Sequence, residues 1–128
     1  MAMEWRSELG LVTVSNEVIR RLAGVAVLDC EGLVGMASRE KVKDGIAEVL
    51  GIENLSKGIE VHAKDGQVSV DMYIIINYGT VISDVARTVQ DKVYTTLHRL
   101  TGLNLNSVNV YVQGIRTKTE QPLIAIRP

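Results

Sequence analysis

The sequence predicts an α+β domain: a small, mostly antiparallel sheet with helices packed on one face, in the order strand, helix, helix, hairpin of two strands, helix, strand. Three observations carry this. Apolar residues recur at helical spacing in three separate stretches. A run of alternating apolar and polar residues folds back about Asp65-Gly66. A segment rich in valine, residues 107–115, follows the last helical stretch. The chain has 128 residues, the size of one domain, with a core over about 9–115 and a tail over 116–128.

Residues 9–14, LGLVTV, are rich in β-formers and predict the first strand. Ser15 suits a helix N-cap, because its hydroxyl can accept a hydrogen bond from an unpaired first-turn amide. Glu17 falls where the helix dipole favours a carboxylate. Val18, Ile19, Leu22, Ala23, Val25, Ala26 and Cys30 return at helical spacing and leave Arg20, Arg21 and Glu31 to water. Gly24 costs on the order of 1 kcal/mol against alanine in a helix; a close approach by another backbone would account for it. Gly32 stands where a helix-ending glycine is expected. A second helix is expected over residues 39–50, with Val42, Ile46, Val49 and Leu50 inward and Gly51 as its stop.

The hairpin implies its own register. Ala63 pairs with Val68, Val61 with Val70 and Ile59 with Met72, all apolar on one face. On the other face Glu60 falls opposite Asp71, a like-charge pair whose cost the sequence does not explain. Thr80 or Ser83 is expected to cap the third helix, whose stripe is Val81, Ile82, Val85, Ala86, Val89, Val93, Leu97 and Leu100. Gly102 ends it, and Val108, Val110 and Val112 share one side of the final strand. Residues 123–126 read either as an edge strand or as a docking segment, and Pro122 argues against a central strand.

Composition excludes several function classes. The net charge of −1 supplies no field for nucleic acid or an anionic membrane surface. The single cysteine, Cys30, cannot form an internal disulfide and lies among acidic neighbours, so it reads as a core residue rather than a reactive thiolate. The first ten residues carry three charges and no apolar stretch of signal-peptide length, and the longest apolar runs are far too short to span a bilayer. The expectation is a cytoplasmic protein without direct membrane insertion.

The motif Gly32-Leu33-Val34-Gly35 is the one candidate for a ligand-gripping loop. Its place in the element order matches the GXXG loop of KH domains, which clamps a single-stranded nucleic-acid backbone. Its chemistry does not: Leu33 and Val34 separate the glycines, and Asp29 and Glu31 upstream repel phosphate. Nucleic acid is therefore the alternative reading, not the expected partner. Neither dinucleotide nor Walker glycine spacing occurs. His62 and His98 are the only histidines, with no second ligand at zinc-finger spacing. No catalytic residue, cofactor or metal site is expected.

One pattern points towards association. If Val68, Val70, Met72, Ile74 and Ile76 face the helices, Tyr73 and Ile75 face away, as does Tyr111 on the last strand. On the first strand either Val12 and Val14 or Leu9 and Leu11 join them. Large apolar side chains on an open sheet face call for a partner or a second subunit. The alternative is that residues 123–126 or the segment around Trp5 cover that face within the chain.

The stretch LGLVTVSNEVIRRLAGVAVLDCEGLVGM resembles the opening block of the alkaline shock protein, or envelope stress response, family of Gram-positive bacteria. Gly10, Val12, Val14, Ser15, Glu17, Val18, Ile19, Ala23, Gly24, Ala26, Glu31, Gly32, Gly35 and Met36 carry it. GIEVHAKDGQVSVDMYIIINYG, VARTVQDKV and TGLNLNSVNVYVQGI extend it over residues 9–115. Asp29-Cys30 departs from the Glu and small apolar residue expected there, and the long polar extensions of larger members are missing. The resemblance implies a short, non-enzymatic cytoplasmic member tied to cell-envelope homeostasis and alkaline or envelope stress. It implies protein partners, a membrane-anchored one for some members, and for short members a link to fatty-acid metabolism genes. It carries no catalytic residues.

Overall fold

The computed structural model describes residues 3–28, 30–38, 50, 52–64 and 66–116. Apart from Leu50, the helix expected over 39–50 lies outside the described residues, as does the tail beyond 116. The architecture is α+β, with a small, mostly antiparallel sheet and helices on one face.

We number the strands β1 (Met3–Ser7), β2 (Gly10–Val14), β3 (Leu33–Met36), β4 (Ile59–Lys64), β5 (Gln67–Asn77) and β6 (Leu105–Arg116), and the helices α1 (Asn16–Ala26) and α2 (Ile82–Thr101). β5 is the spine. Its alternate residues Val68, Val70, Met72, Ile74 and Ile76 are all buried on the helix-covered face. Both of its edges are hydrogen-bonded. β4 and then β3 run antiparallel along one edge, and β6 runs parallel along the other. The β4–β5 hairpin has the register read from the sequence: Ala63 opposite Val68, Val61 opposite Val70, Ile59 opposite Met72. β6 is parallel because α2 carries the chain back across the sheet before it pairs, as any parallel connection requires.

Ser15 caps α1 as expected, accepting the Val18 amide at 3.3 Å. Ile19 and Ala23 face inward. The close neighbour of Gly24 is not backbone but the Leu55 side chain of a 3-10 turn, Ile52–Gly58; a Cβ on Gly24 would lie 3.1 Å from Leu55 Cβ. In α2 the buried stripe is Val85, Val89, Val93 and Leu97, while Val81, Ile82 and Leu100 are exposed. The inward stripe is therefore narrower than the sequence predicts. Neither Thr80 nor Ser83 caps α2; the N-cap is Val81, without a side-chain bond. The Thr80 hydroxyl is already committed, donating to the Asn77 carbonyl at 2.8 Å and tightening the turn out of β5.

Two segments differ from expectation. The first strand does not join the main sheet: β2 pairs with β1 in a separate antiparallel ribbon. β5 has no edge left to offer it, and residues 3–7 complete its ladder locally. The second is Gly32-Leu33-Val34-Gly35, which is not a loop. Leu33 begins β3, pairs with Ile76 and packs against the core, and Gly35 pairs with Ile75. The Gly32 carbonyl accepts the Asn77 amide at 2.9 Å. Apolar, β-favouring Leu33 and Val34 put this backbone into the sheet, so it forms no phosphate-gripping loop. Gly32 itself turns the corner at φ +88°, against α2, where an added Cβ would meet Val85 Cγ2 at 2.8 Å.

Candidate functional site

Alternation along β5 turns Ser69, Asp71, Tyr73 and Ile75 away from the helices. Register then sets their neighbours. Glu60 and Asn109 flank Asp71, His62 and Ser107 flank Ser69, and Tyr111 lies beside Tyr73. The outer face thus has an aromatic part and a polar part.

In the aromatic part the Tyr73 and Tyr111 rings stack with centroids 5.1 Å apart and planes 26° from parallel. Parallel pairing of β5 with β6 places the two rings side by side, within the offset-stacking range. Tyr111 is 41% exposed. Ile75, next along this face, is only 1% exposed and stands outside the main core cluster. The face is open at Tyr111 and closed at Ile75.

The polar part explains the like-charge pair. Asp71 Oδ1 accepts from Asn109 Nδ2 at 2.8 Å, and Asp71 Oδ2 lies 3.1 Å from His62 Nε2. The same nitrogen is 3.8 Å from Glu60 Oε1. An imidazole and an amide donor therefore stand where the sequence shows only two opposed carboxylates.

Of the residues singled out from the sequence, the structure brings Tyr73, Ile75 and Tyr111 together. It does not bring Val12 and Val14 to them. Val14 packs against the core from the β1–β2 ribbon, and Val12 pairs with Trp5 further out, both half-exposed. Asn109 and the His62–Asp71 contact went unread. The hairpin register was the available signal, since it already sets His62 two residues from Glu60 on the same face. Cys30 is buried, and His98 Nδ1 lies 3.1 Å from the Leu103 carbonyl at the end of α2. Between α1 and α2 runs a shallow, open groove of about 530 Å³, lined by Val25, Leu28, Asp91, Thr95 and Arg99 among others. Among the described residues no helix is long and apolar enough to cross a membrane.

Comparison with known proteins places the chain in a family. The YloU protein of Bacillus subtilis (strain 168) is 50% identical over 116 residues, covering 91% of this chain and 97% of that protein. Spy1614 of Streptococcus pyogenes serotype M6 is 37% identical over 94% of this chain and 99% of its own length. A protein of Streptococcus pyogenes serotype M3 named as a stress response regulator gls24 homolog is 27% identical over 87% of this chain and 62% of its own. No solved structure matches. Residues 4–117 match the alkaline shock protein 23 family, described by its cell envelope-related function, and the chain belongs to that family.

Proposed function

We propose that the protein is a non-enzymatic interaction module of the envelope stress response, working in the cytoplasm and held near the membrane by contact with a membrane-anchored protein. The observation that carries this is the stacked Tyr73–Tyr111 pair on the outer sheet face, with Tyr111 open to solvent. Tyrosine offers large contact area at little conformational cost, and its hydroxyl keeps the face soluble when unbound. Burying one such ring stabilises a contact by roughly 1.5–3 kcal/mol, and a few together offset the cost of association. Family membership and the stress-regulator relative support the setting. The half-exposed Trp5–Val12 pair adds apolar surface on the separate β1–β2 ribbon.

The test compares wild type with Tyr111→Asp. Solution mass is measured by light scattering, and partners are recovered by crosslinking in the native host. The expected result is a homo-oligomer or a crosslinked protein partner with wild type that Tyr111→Asp loses. A monomeric wild type with no crosslinked partner, or complexes indifferent to Tyr111→Asp, would refute the reading.

A further inference from the structure

The geometry points to a divalent transition-metal site formed by Glu60, His62 and Asp71. Their ligand atoms all lie within 4.8 Å of one another. The sequence alone predicts no metal, because no histidine has a second ligand at a familiar spacing. The hairpin supplies ligands by a different route: Glu60 and His62 come from one strand, and Asp71 comes from the other, directly opposite Glu60.

The separations fit an ion. A zinc ion about 2.0–2.1 Å from each ligand atom holds tetrahedral ligands about 3.3 Å apart. His62 Nε2 stands 3.1 Å from Asp71 Oδ2 and 3.8 Å from Glu60 Oε1, either side of that edge length. Glu60 is the more distant of the two carboxylates from His62, and binding an ion would draw it closer. The outer oxygen of Asp71 is fixed by Asn109, at 2.8 Å from Oδ1, which leaves Oδ2 aimed at the cluster. Bound carboxylates are commonly oriented in this way by a neighbouring donor.

Charge argues in the same direction. Two carboxylates directly across an antiparallel pair repel, and a divalent cation neutralises both. One nitrogen and two oxygens suit zinc and its first-row neighbours rather than magnesium or calcium, which prefer all-oxygen sites. His62 is 53% exposed at its side chain, so an ion enters from solvent and keeps a position open for water. The alternative is that His62 contacts the two carboxylates directly, without any metal.

Zn²⁺ titrated into the full chain by calorimetry distinguishes the two, with Co²⁺ absorption as a second readout. Expected is saturable uptake of one ion per chain, with the visible bands of a low-coordinate Co²⁺ site. His62→Ala and Asp71→Asn should each weaken binding at least tenfold, and Asn109→Ala about tenfold. His98→Ala should bind as wild type. Absence of saturable one-to-one uptake by wild type, or full affinity in both His62→Ala and Asp71→Asn, would overturn the site. Because binding is read on the isolated chain, its failure is separate from failure of the proposed protein contact.

Discussion

Replacing Gly32 with alanine tests whether this glycine grips a ligand or turns the chain. Two costs add. At φ +88° an L side chain is strained, by about 1–2 kcal/mol. The new methyl would also lie 2.8 Å from Val85 Cγ2, where carbon pairs normally rest about 3.5–4.0 Å apart. Such overpacking typically costs about 1–3 kcal/mol. Gly32→Ala should therefore lose about 2–5 kcal/mol. Gly66→Ala is the control, because Gly66 has φ +78° but nothing within 4 Å of an added Cβ. It should lose only the backbone cost. The steric part should largely vanish when Gly32→Ala is made in a Val85→Ala background. Urea unfolding followed by circular dichroism measures wild type, Gly32→Ala, Gly66→Ala, Val85→Ala and the Gly32→Ala/Val85→Ala double variant. With a slope of about 1–3 kcal/mol per molar, the Gly32 midpoint should fall by on the order of 1 M or more. If Gly32→Ala is no worse than Gly66→Ala, or shows no coupling to Val85, the packing argument is wrong. A ligand-gripping glycine would instead lose binding and keep its stability.

Other perturbations follow from the same contacts. Leu97→Ala, at a fully buried position of α2, should cost about 2–5 kcal/mol in urea, while Leu100→Ala on the exposed side should stay within about 0.5 kcal/mol. A double-mutant cycle on Tyr73→Ala and Tyr111→Ala should return a coupling of about 0.5–1.5 kcal/mol from the stacked rings. The hydrogen bond from Arg20, helped by Arg21, holds the Glu17 carboxyl below its usual range. Its contribution is therefore complete above the unfolded carboxylate value and disappears as pH falls through the lowered folded one. Glu17→Gln should flatten that part of the acid limb, measured as urea midpoint against pH, by less than about 1 kcal/mol because the pair is solvent-screened.

The β4–β5 hairpin was legible to the residue, because period-two alternation and an Asp-Gly turn both fix the same register. The start of α1 was legible from Ser15, but its end and full inward face were not: the helix stops at Ala26 with Val27 as C-cap, well before Gly32, and Val18 and Val25 are exposed. The β1–β2 ribbon was not legible: MEWRS shows no clean alternation, and whether a strand joins the main sheet depends on which edges remain, a property of the whole fold. β3 was hidden because Gly32 just before it and Gly35 within it read as turn residues, although Leu33 and Val34 favour a strand. The pairing of Tyr73 with Tyr111 depends on the parallel register of strands 38 residues apart, which no local pattern encodes. Ile75 was expected on an open surface from parity alone; parity gives the side of a sheet but not what lies above it.

A strand anchored along both flanks cannot loosen until one of its neighbours has already let go. Amide hydrogens of β5 should therefore exchange with solvent deuterium last, through near-complete unraveling of the chain, while those of the β1–β2 ribbon exchange first by local fraying. Opening would then begin at the periphery, and Tyr73 and Asp71, mounted on the central strand, would be the last surface features to lose their geometry. Mass spectrometry of exchange time courses, resolved by peptide, would show whether protection rises from ribbon to spine in that order.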